Sequence, residues 1–413
     1  MIELRDKKDC CGCTACASVC AHRAITMRED EEGFRYPVVD TSLCSNCGLC
    51  ESVCPVINRG EPRRPIVVYA SKNRDEEMRR RSSSGGVFML LAKQTIAEGG
   101  VVFGAKFDAD WRVVHDFAET VEEAEAFMGS KYVQSDMGDN FDRVKRFLTE
   151  NRKVLFSGTP CQVAGLKRFL RKEYANLLTV DVACHGAPSP KVWRDYLEYR
   201  RAQRVAGKNS VSLSLNELPK IADISFRDKA NGWKKYGFKI GFAASGAAEN
   251  TVSKSAYKTY TETTYFRKDT FMKGFLDNLY LRPSCYCCAV RSGRGGADIS
   301  IADYWGLKKA HKAFADNRGV SAVLIYDEAA RRAFEAVETD SIESRYEYVL
   351  RRNSCLEDSV SRPVEADQFW EDYSRCGISA IAPLCRQIHR SRFGRMCDAL
   401  GSALKRVLLP RKV

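Results

Sequence analysis

The chain has 413 residues, 44% of them hydrophobic and 29% charged, with 66 Lys and Arg against 53 Asp and Glu for a net charge of +13. That balance fits a globular chain of two or three domains and excludes a disordered or membrane-embedded one, since no apolar run is long enough to cross a bilayer. A basic surplus ordinarily suggests nucleic acid, but neither a helix-turn-helix nor an RNP signature is present, so no nucleic-acid partner is expected.

The opening MIELRDKKDCCGC has charges but no apolar core of a secretory signal, which points to a cytoplasmic protein. Eighteen cysteines in that compartment indicate metal or redox chemistry rather than structural disulfides. Cys10, Cys13, Cys16 and Cys20 are spaced C-x2-C-x2-C-x3-C, and Cys44, Cys47, Cys50 and Cys54 repeat that spacing before Pro55. This is the bacterial two-cluster ferredoxin pattern, in which one loop grips three iron corners of a [4Fe-4S] cubane and the fourth thiolate comes from the other half. Cys10, Cys13, Cys16 and Cys54 are therefore assigned to one cluster, and Cys44, Cys47, Cys50 and Cys20 to the second. Cys11 is off register, and Ala21 stands where a proline is usual. Zinc held by paired CxxC elements is the alternative, disfavoured by two complete sets at ferredoxin spacing. Clusters of this kind carry about two negative charges each, so three of them would absorb about half of the basic surplus.

Residues 1–60 form this module, and 57–66 (INRGEPRRPI) mix Pro, Gly and charge as a linker does. Beyond it, strands are expected at 66–71, 100–107, 153–158 and 177–184, with helices at 86–98 and 139–150. Such alternation indicates an α/β body, placed at 66–365. Residues 210–270 are richer in Ser, Thr, Tyr and charge and read as an antiparallel insertion. In the extension 366–413, apolar residues from Leu384 to Leu408 recur at helical intervals among arginines and lysines. A basic amphipathic helix over 384–409 suits a membrane surface, a partner, or its own domain.

Two stretches suit a phosphate-bearing cofactor. RSSSGGVF (81–88) places Ser84, Gly85 and Gly86 before a helix, where free N–H groups and the helix dipole favour an anion. GSKYVQS (129–135) offers Ser130, a lysine for a pyrophosphate (Lys131), an aromatic face (Tyr132) and an amide for a ring edge (Gln134). Ordinary loop-to-helix junctions and solvated strand-edge lysines have the same composition. No G-x-G-x-x-G occurs, so a Rossmann nicotinamide site is not indicated.

Cys161 follows the strand 153–158 in Gly158-Thr159-Pro160-Cys161-Gln162, and Cys184 stands at the end of 177–184, in ACHGAPSP. Parallel strands present their C-terminal ends on one edge, where sites collect. With the CxxC pair Cys285 and Cys288, these make four thiols, enough for another cubane. Alternatively Cys161 is a nucleophile with His185 as its base, and spacing leaves both open.

SSSGGVF, GGVVFGAKF, GSKYVQS, FSGTPCQVAGL, CHGAPSP, FRDKANGW, LRPSCYCC and DISIADYWG occur in one order. Together they resemble the coenzyme F420 hydrogenase/dehydrogenase beta-subunit family, over about residues 1–365. The resemblance implies an α+β iron–sulfur flavoprotein oxidoreductase: a two-cluster [4Fe-4S] ferredoxin fold, then an α/β FAD-binding domain with a mixed sheet and the antiparallel insertion. It implies a third cluster on Cys161, Cys184, Cys285 and Cys288, with Cys287 a bystander. Ser84, Gly85, Gly86, Ser130, Lys131, Tyr132, Gln134, Gly158, Thr159 and His185 then surround FAD, His185 being the catalytic candidate. Electrons would pass between a small-molecule hydride donor or acceptor (coenzyme F420 or another organic substrate), FAD, the clusters and a redox partner protein or ferredoxin. A relay subunit with no substrate site, or a ferredoxin-driven reductase in polysaccharide biosynthesis, are the competing forms. Cys355, Cys376, Cys385 and Cys397 read as buried or idle thiols, and His22, His115, His311 and His389 as structural or surface residues.

Overall fold

The two cysteine-rich loops are backbone copies of one another in the computed structural model, which describes residues 1–205, 218–243 and 259–389. Left-handed residues fall at the same offsets, Gly12 (φ 71°) and Thr14 (φ 66°) after Cys10, Asn46 (φ 54°) and Gly48 (φ 77°) after Cys44. Such turns aim successive N–H groups into a concavity suited to negative charge. Each loop ends in a single helical turn, Ala15–Ser18 or Leu49–Ser52. Between them, β1 (Ile25–Glu29) and β2 (Arg35–Val39) pair as an antiparallel hairpin.

Along the body follow β3 (Val67–Asn73), β4 (Val101–Phe107), β5 (Val113–Ala118), β6 (Val154–Gly158) and β7 (Leu177–Val182). The insertion contributes β8 (Ile221–Asp228), β9 (Gly237–Ala243) and β10 (Thr259–Tyr265), and the chain returns as β11 (Ile299–Asp303), β12 (Ser321–Ile325) and β13 (Thr339–Ser344). Eight strands build one mixed sheet in the order β13-β3-β12-β11-β7-β6-β4-β5, and the insertion forms its own sheet, β10-β9-β8. β4, β6, β7 and β11 are parallel neighbours, whereas β5 and β12 run against them.

The continuous apolar runs follow from burial on both faces. Val101, Phe103, Val154 and Phe156 enter one core while Val102 and Leu155 enter the opposite one, the period-two alternation of a covered parallel strand. Each such side chain stabilises the fold by about 1.5–3 kcal/mol relative to exposure. The strands expected at 66–71, 100–107, 153–158 and 177–184 are β3, β4, β6 and β7. The helices expected at 86–98 and 139–150 are Val87–Ala97 and Asn140–Thr149.

The N-terminal module is not set apart by its linker. Arg63 N donates to Ser292 O (2.8 Å), Ile66 N to Ile325 O (2.7 Å) and Arg294 Nη1 to Gly60 O (2.7 Å), pinning 60–66 along the body. Cys13, Ala15 and Val53 share one core with Phe141, Val163 and Leu166. At the other end, Phe369 and Tyr373 of the helix Glu365–Cys376, with Leu384, Cys385 and Ile388 of a helix over 381–389, pack with Phe238 and Phe271. The expected basic helix therefore packs on its own body over 384–389, and its residues 390–409, with Cys397, lie outside the described residues. Among the described residues, no helix is long and apolar enough to cross a membrane.

Candidate functional site

β6 and β7 are adjacent and parallel, so the residues that follow them meet at one sheet edge. After β6, Gly158-Thr159-Pro160 turns into the helix Pro160–Leu170, with proline at its first position, where no N–H is needed. Gln162 Oε1 accepts from the Thr159 amide (2.9 Å) and hydroxyl (3.0 Å), which fixes that first turn and Cys161 within it. Cys184 follows β7. A 3-10 turn, Pro283–Cys287, brings Cys285 and Cys288 to the same place.

Each of the six pairs among Cys161, Cys184, Cys285 and Cys288 interacts electrostatically. Burial, reinforced by the neighbouring thiols, pushes Cys285 up to about 12 and holds Cys184 well above the ordinary thiol range. Contact with Cys11, followed by burial, does the same for Cys161. Thr159 Oγ1 lies 3.2 Å from Cys161 Sγ, and Ala187 N donates to Cys285 Sγ (3.3 Å). Arg291, 8% exposed, donates to the carbonyls of Cys184, Cys355 and His185, while its buried Nε has no partner among the described residues. Cys287 is exposed.

In the N-terminal module, Cys10 interacts with Cys13, Cys16 and Cys54, and Cys16 with Cys13 and Cys54. Burial and then the charges of Cys10 and Cys54 push Cys16 up to about 12. At the other loop, Asn46 N donates to Cys44 Sγ (3.4 Å) and Ile2 N to Cys50 Sγ (3.2 Å), Cys20 packs with Cys50, and Cys47 is exposed. Cys11, off register in sequence, is in hydrogen-bonding contact with both Cys13 and Cys161. The helix carrying Cys161 approaches so closely that a Cβ on Gly165 would lie 2.9 Å from Cys13 Sγ. The two thiol groups thus stand back to back, with Cys11 between them. Among the described residues, no three or more His, Cys, Asp or Glu side chains are arranged to share a single metal ion.

The remaining singled-out residues fall in two places. Ser84 Oγ donates to Val320 O (2.8 Å) and Gly85 N to Ser321 Oγ (3.0 Å), fixing the loop before Gly86 and the helix Val87–Ala97. Ser130 N donates to Ser83 Oγ (2.6 Å), which joins that loop to 129–132. Lys131 Nζ donates to the carbonyls of Ala126 (2.8 Å) and Met128 (2.9 Å), and burial pulls its pKa down to about 7. Tyr132 accepts from Arg227 Nη1 (3.1 Å) and stacks on Phe275 (4.9 Å), whose ring meets His185 edge-on (5.2 Å). His185 and Gln134, with Gly158 and Thr159, stand beside the thiols. Asn278 Nδ2 donates to Ser361 O (3.0 Å), so its Oδ1 faces His185 Nε2 (2.6 Å) as acceptor. Burial lowers the His185 pKa, leaving a neutral ring with Nε2 protonated and Nδ1 basic.

Several charged and aromatic residues here were not singled out from sequence. Arg227, 6% exposed, pairs with Asp303 Oδ2 (2.8 Å), lies over Tyr236 (4.1 Å) and keeps a buried Nε without a partner among the described residues. Trp233 Nε1 donates to Asp303 Oδ1 (3.2 Å), and its ring stacks on Trp305 at 4.5 Å. Lys229 Nζ donates to three carbonyls, including Ser84 O (3.0 Å). Arg227, Lys229 and Trp233 sit inside FRDKANGW and Asp303 and Trp305 inside DISIADYWG, strings that show no sign of which side chains meet across the insertion.

Residues 151–346 match the family described as the C terminus of the coenzyme F420 hydrogenase/dehydrogenase beta subunit, and residues 9–58 match the 4Fe-4S dicluster domain. The coenzyme F420-dependent sulfite reductase of Methanocaldococcus jannaschii is 24% identical over 249 residues, which is 56% of this chain. The chain spans 38% of that relative's length. A chain of the F420-reducing [NiFe] hydrogenase complex from Methanosarcina barkeri is similar at a TM-score of 0.41 and 15% identity, over 71% of this chain and 90% of that one. The chain thus carries a 4Fe-4S dicluster domain ahead of a domain that matches the C terminus of the coenzyme F420 hydrogenase/dehydrogenase beta subunit.

Proposed function

We infer that this iron–sulfur oxidoreductase carries a third [4Fe-4S] cluster on Cys161, Cys184, Cys285 and Cys288, and FAD against the loops 82–86 and 129–132. The observation that carries the inference is the set of four half-buried, mutually interacting thiols beside an Arg291 Nε that has no partner among the described residues. Four thiolates suit one cubane, and an unpaired buried N–H suits its sulfur. Cys161 stands among other thiols, Thr159 and the Arg282 charge with no histidine among the described residues acting on it, and His185 Nε2 is engaged with Asn278, which favours a ligand over a nucleophile.

The flavin loops fit an anionic cofactor on their own chemistry. Among the described residues, Lys131 is a half-buried amine bonded to carbonyls alone, and Arg227 Nε is buried without a partner beside Tyr132. Ser84, Gly85 and Gly86 shape one loop, Ser130, Lys131 and Tyr132 the other. A flavin supplies the exchange of one hydride for two single electrons. The chain's part is to hold Tyr132, Phe275 and neutral His185 in a line toward Cys184, with His185 Nδ1 free to take a proton. Gly158 and Thr159 shape the turn that presents Cys161. The exposed Cys47 supports the Cys20, Cys44, Cys47 and Cys50 site as the one that meets a redox partner protein or ferredoxin. The two-electron partner is a small hydride donor or acceptor, coenzyme F420 or another organic molecule.

Iron, acid-labile sulfide and flavin per chain, measured on protein purified without oxygen, test this directly. About twelve irons with one FAD are expected. About eight irons without flavin would refute both additions.

A further inference from the structure

Arg282 is 1% exposed, and its side chain is spent on the first cysteine loop. Nε donates to Cys10 O (2.7 Å), and Nη2 donates to Cys10 Sγ (3.4 Å) and Arg35 O (3.0 Å). Nη1 donates to Gln134 Oε1 (3.0 Å), and Gln134 Nε2 in turn donates to Cys11 O (3.2 Å). The guanidinium lies over Tyr36 (4.3 Å) and Phe34 (5.5 Å). Its acceptors are carbonyls, an amide and a sulfur; among the described residues no carboxylate is paired with it. A cation buried without a counter-charge is strongly unfavourable. The backbone of Arg282 also opens the turn that carries Cys285, whose N–H donates to Arg282 O (2.8 Å). Gly12 makes the approach possible, since a Cβ there would lie 2.8 Å from Arg282 Nη1 and 2.6 Å from Gln134 Nε2.

We propose that Arg282, oriented by Gln134, is the positioning residue that raises the reduction potential of the cluster at Cys10, Cys13, Cys16 and Cys54, drawing electrons toward it from the site at Cys161, Cys184, Cys285 and Cys288. A hydrogen bond to a ligand sulfur and a fixed positive charge both favour the more negative, reduced state of a cluster. The bond runs to Cys10 Sγ, so the effect is largest there. The direction of transfer rests on the third cluster proposed above; the effect on the Cys10 site does not.

The test is an EPR-monitored redox titration of the iron-loaded protein and of Arg282→Gln, Arg282→Lys and Gln134→Glu. Cys184→Ser identifies which signals belong to the N-terminal module. Arg282→Gln should shift one of the surviving signals to lower potential and move the others less. Arg282→Lys, which keeps the charge but not the fork, should shift it by a smaller amount. Gln134→Glu sets a carboxylate against the guanidinium and should also lower it. Should Arg282→Gln lose iron, the Gln134→Glu titration decides. Unchanged or raised potentials in iron-replete variants would overturn the proposal. Eight irons in the unmodified chain would instead refute the third cluster, while the shift at the Cys10 site still judges Arg282.

Discussion

Replacing Cys161 by serine tests the third site, but the surrounding structure dictates how the experiment must be built. Serine is nearly isosteric and leaves the Thr159–Gln162 cap of the helix untouched, so the first turn should keep its shape. Cys11, however, is in contact with both Cys13 and Cys161 and is the nearest thiol that can take over as ligand. Cys161→Ser alone should therefore lose iron only in part, and Cys11→Ala with Cys161→Ser should lose the whole site. Three cubanes hold about twelve irons, so the double variant should fall to about eight, with a matching loss of sulfide. Chemical assay of iron and sulfide on oxygen-free preparations gives the count, and far-ultraviolet circular dichroism checks the fold. The EPR signals of the N-terminal module should persist. A double variant that is folded and still holds about twelve irons would refute the assignment of Cys161, and with it the four-thiol site.

Two further outcomes follow from buried positions near this edge. Asp181 on β7 is buried, and desolvation pushes its carboxyl up to about 7. The unfolded carboxyl ionises near 4, so the native state is most favoured below that pH and loses stability as pH rises toward 7, by up to ~4 kcal/mol. Asp181→Asn should therefore raise the unfolding midpoint at pH 8 and leave it nearly unchanged at pH 4; equal gains at both would contradict the burial argument. Gly165→Ala would set a Cβ 2.8 Å from Cys13 Cβ and should cost about 1–3 kcal/mol by overpacking the seam between module and body. Denaturant unfolding measures it, and an unaltered midpoint would mean the seam yields freely.

What was legible in the sequence depended on how locally each feature is encoded. The eight N-terminal cysteines announce themselves because each loop supplies three thiols within seven residues, at a spacing fixed by one backbone turn repeated twice. Cys161 and Cys184 could be placed on one edge because β6 and β7 are short apolar runs ending in turn residues. That Cys285 and Cys288 meet them depends on a turn reached only after the whole insertion. β12, all buried, is an apolar run that periodicity cannot assign, and β13 is a polar edge strand paired, among the described residues, only with β3. Lys131, expected on a pyrophosphate, donates to two carbonyls of its own loop. Gln134, expected at a ring edge, joins Arg282 to the Cys11 carbonyl, a contact that nothing in GSKYVQS foretells.

The net charge of +13 acquires a physical meaning from the two buried arginines at the thiol sites. Cations that serve nucleic acid stand on the surface, facing phosphate. Arg282 and Arg291 are instead buried, and their acceptors are carbonyls, an amide and a sulfur. Without iron, burial keeps Cys184, Cys285 and Cys288 protonated, so both guanidiniums lie in a low-dielectric region with little opposing charge. On the proposed assignment of a cluster to each site, loading a cluster deprotonates its four thiols and leaves about two net negative charges beside each arginine. The same step that releases protons therefore supplies the missing counter-charge, and the arginines make cluster assembly and packing of this seam one coupled event. The sequence thus carries its positive surplus partly for groups that it does not itself encode.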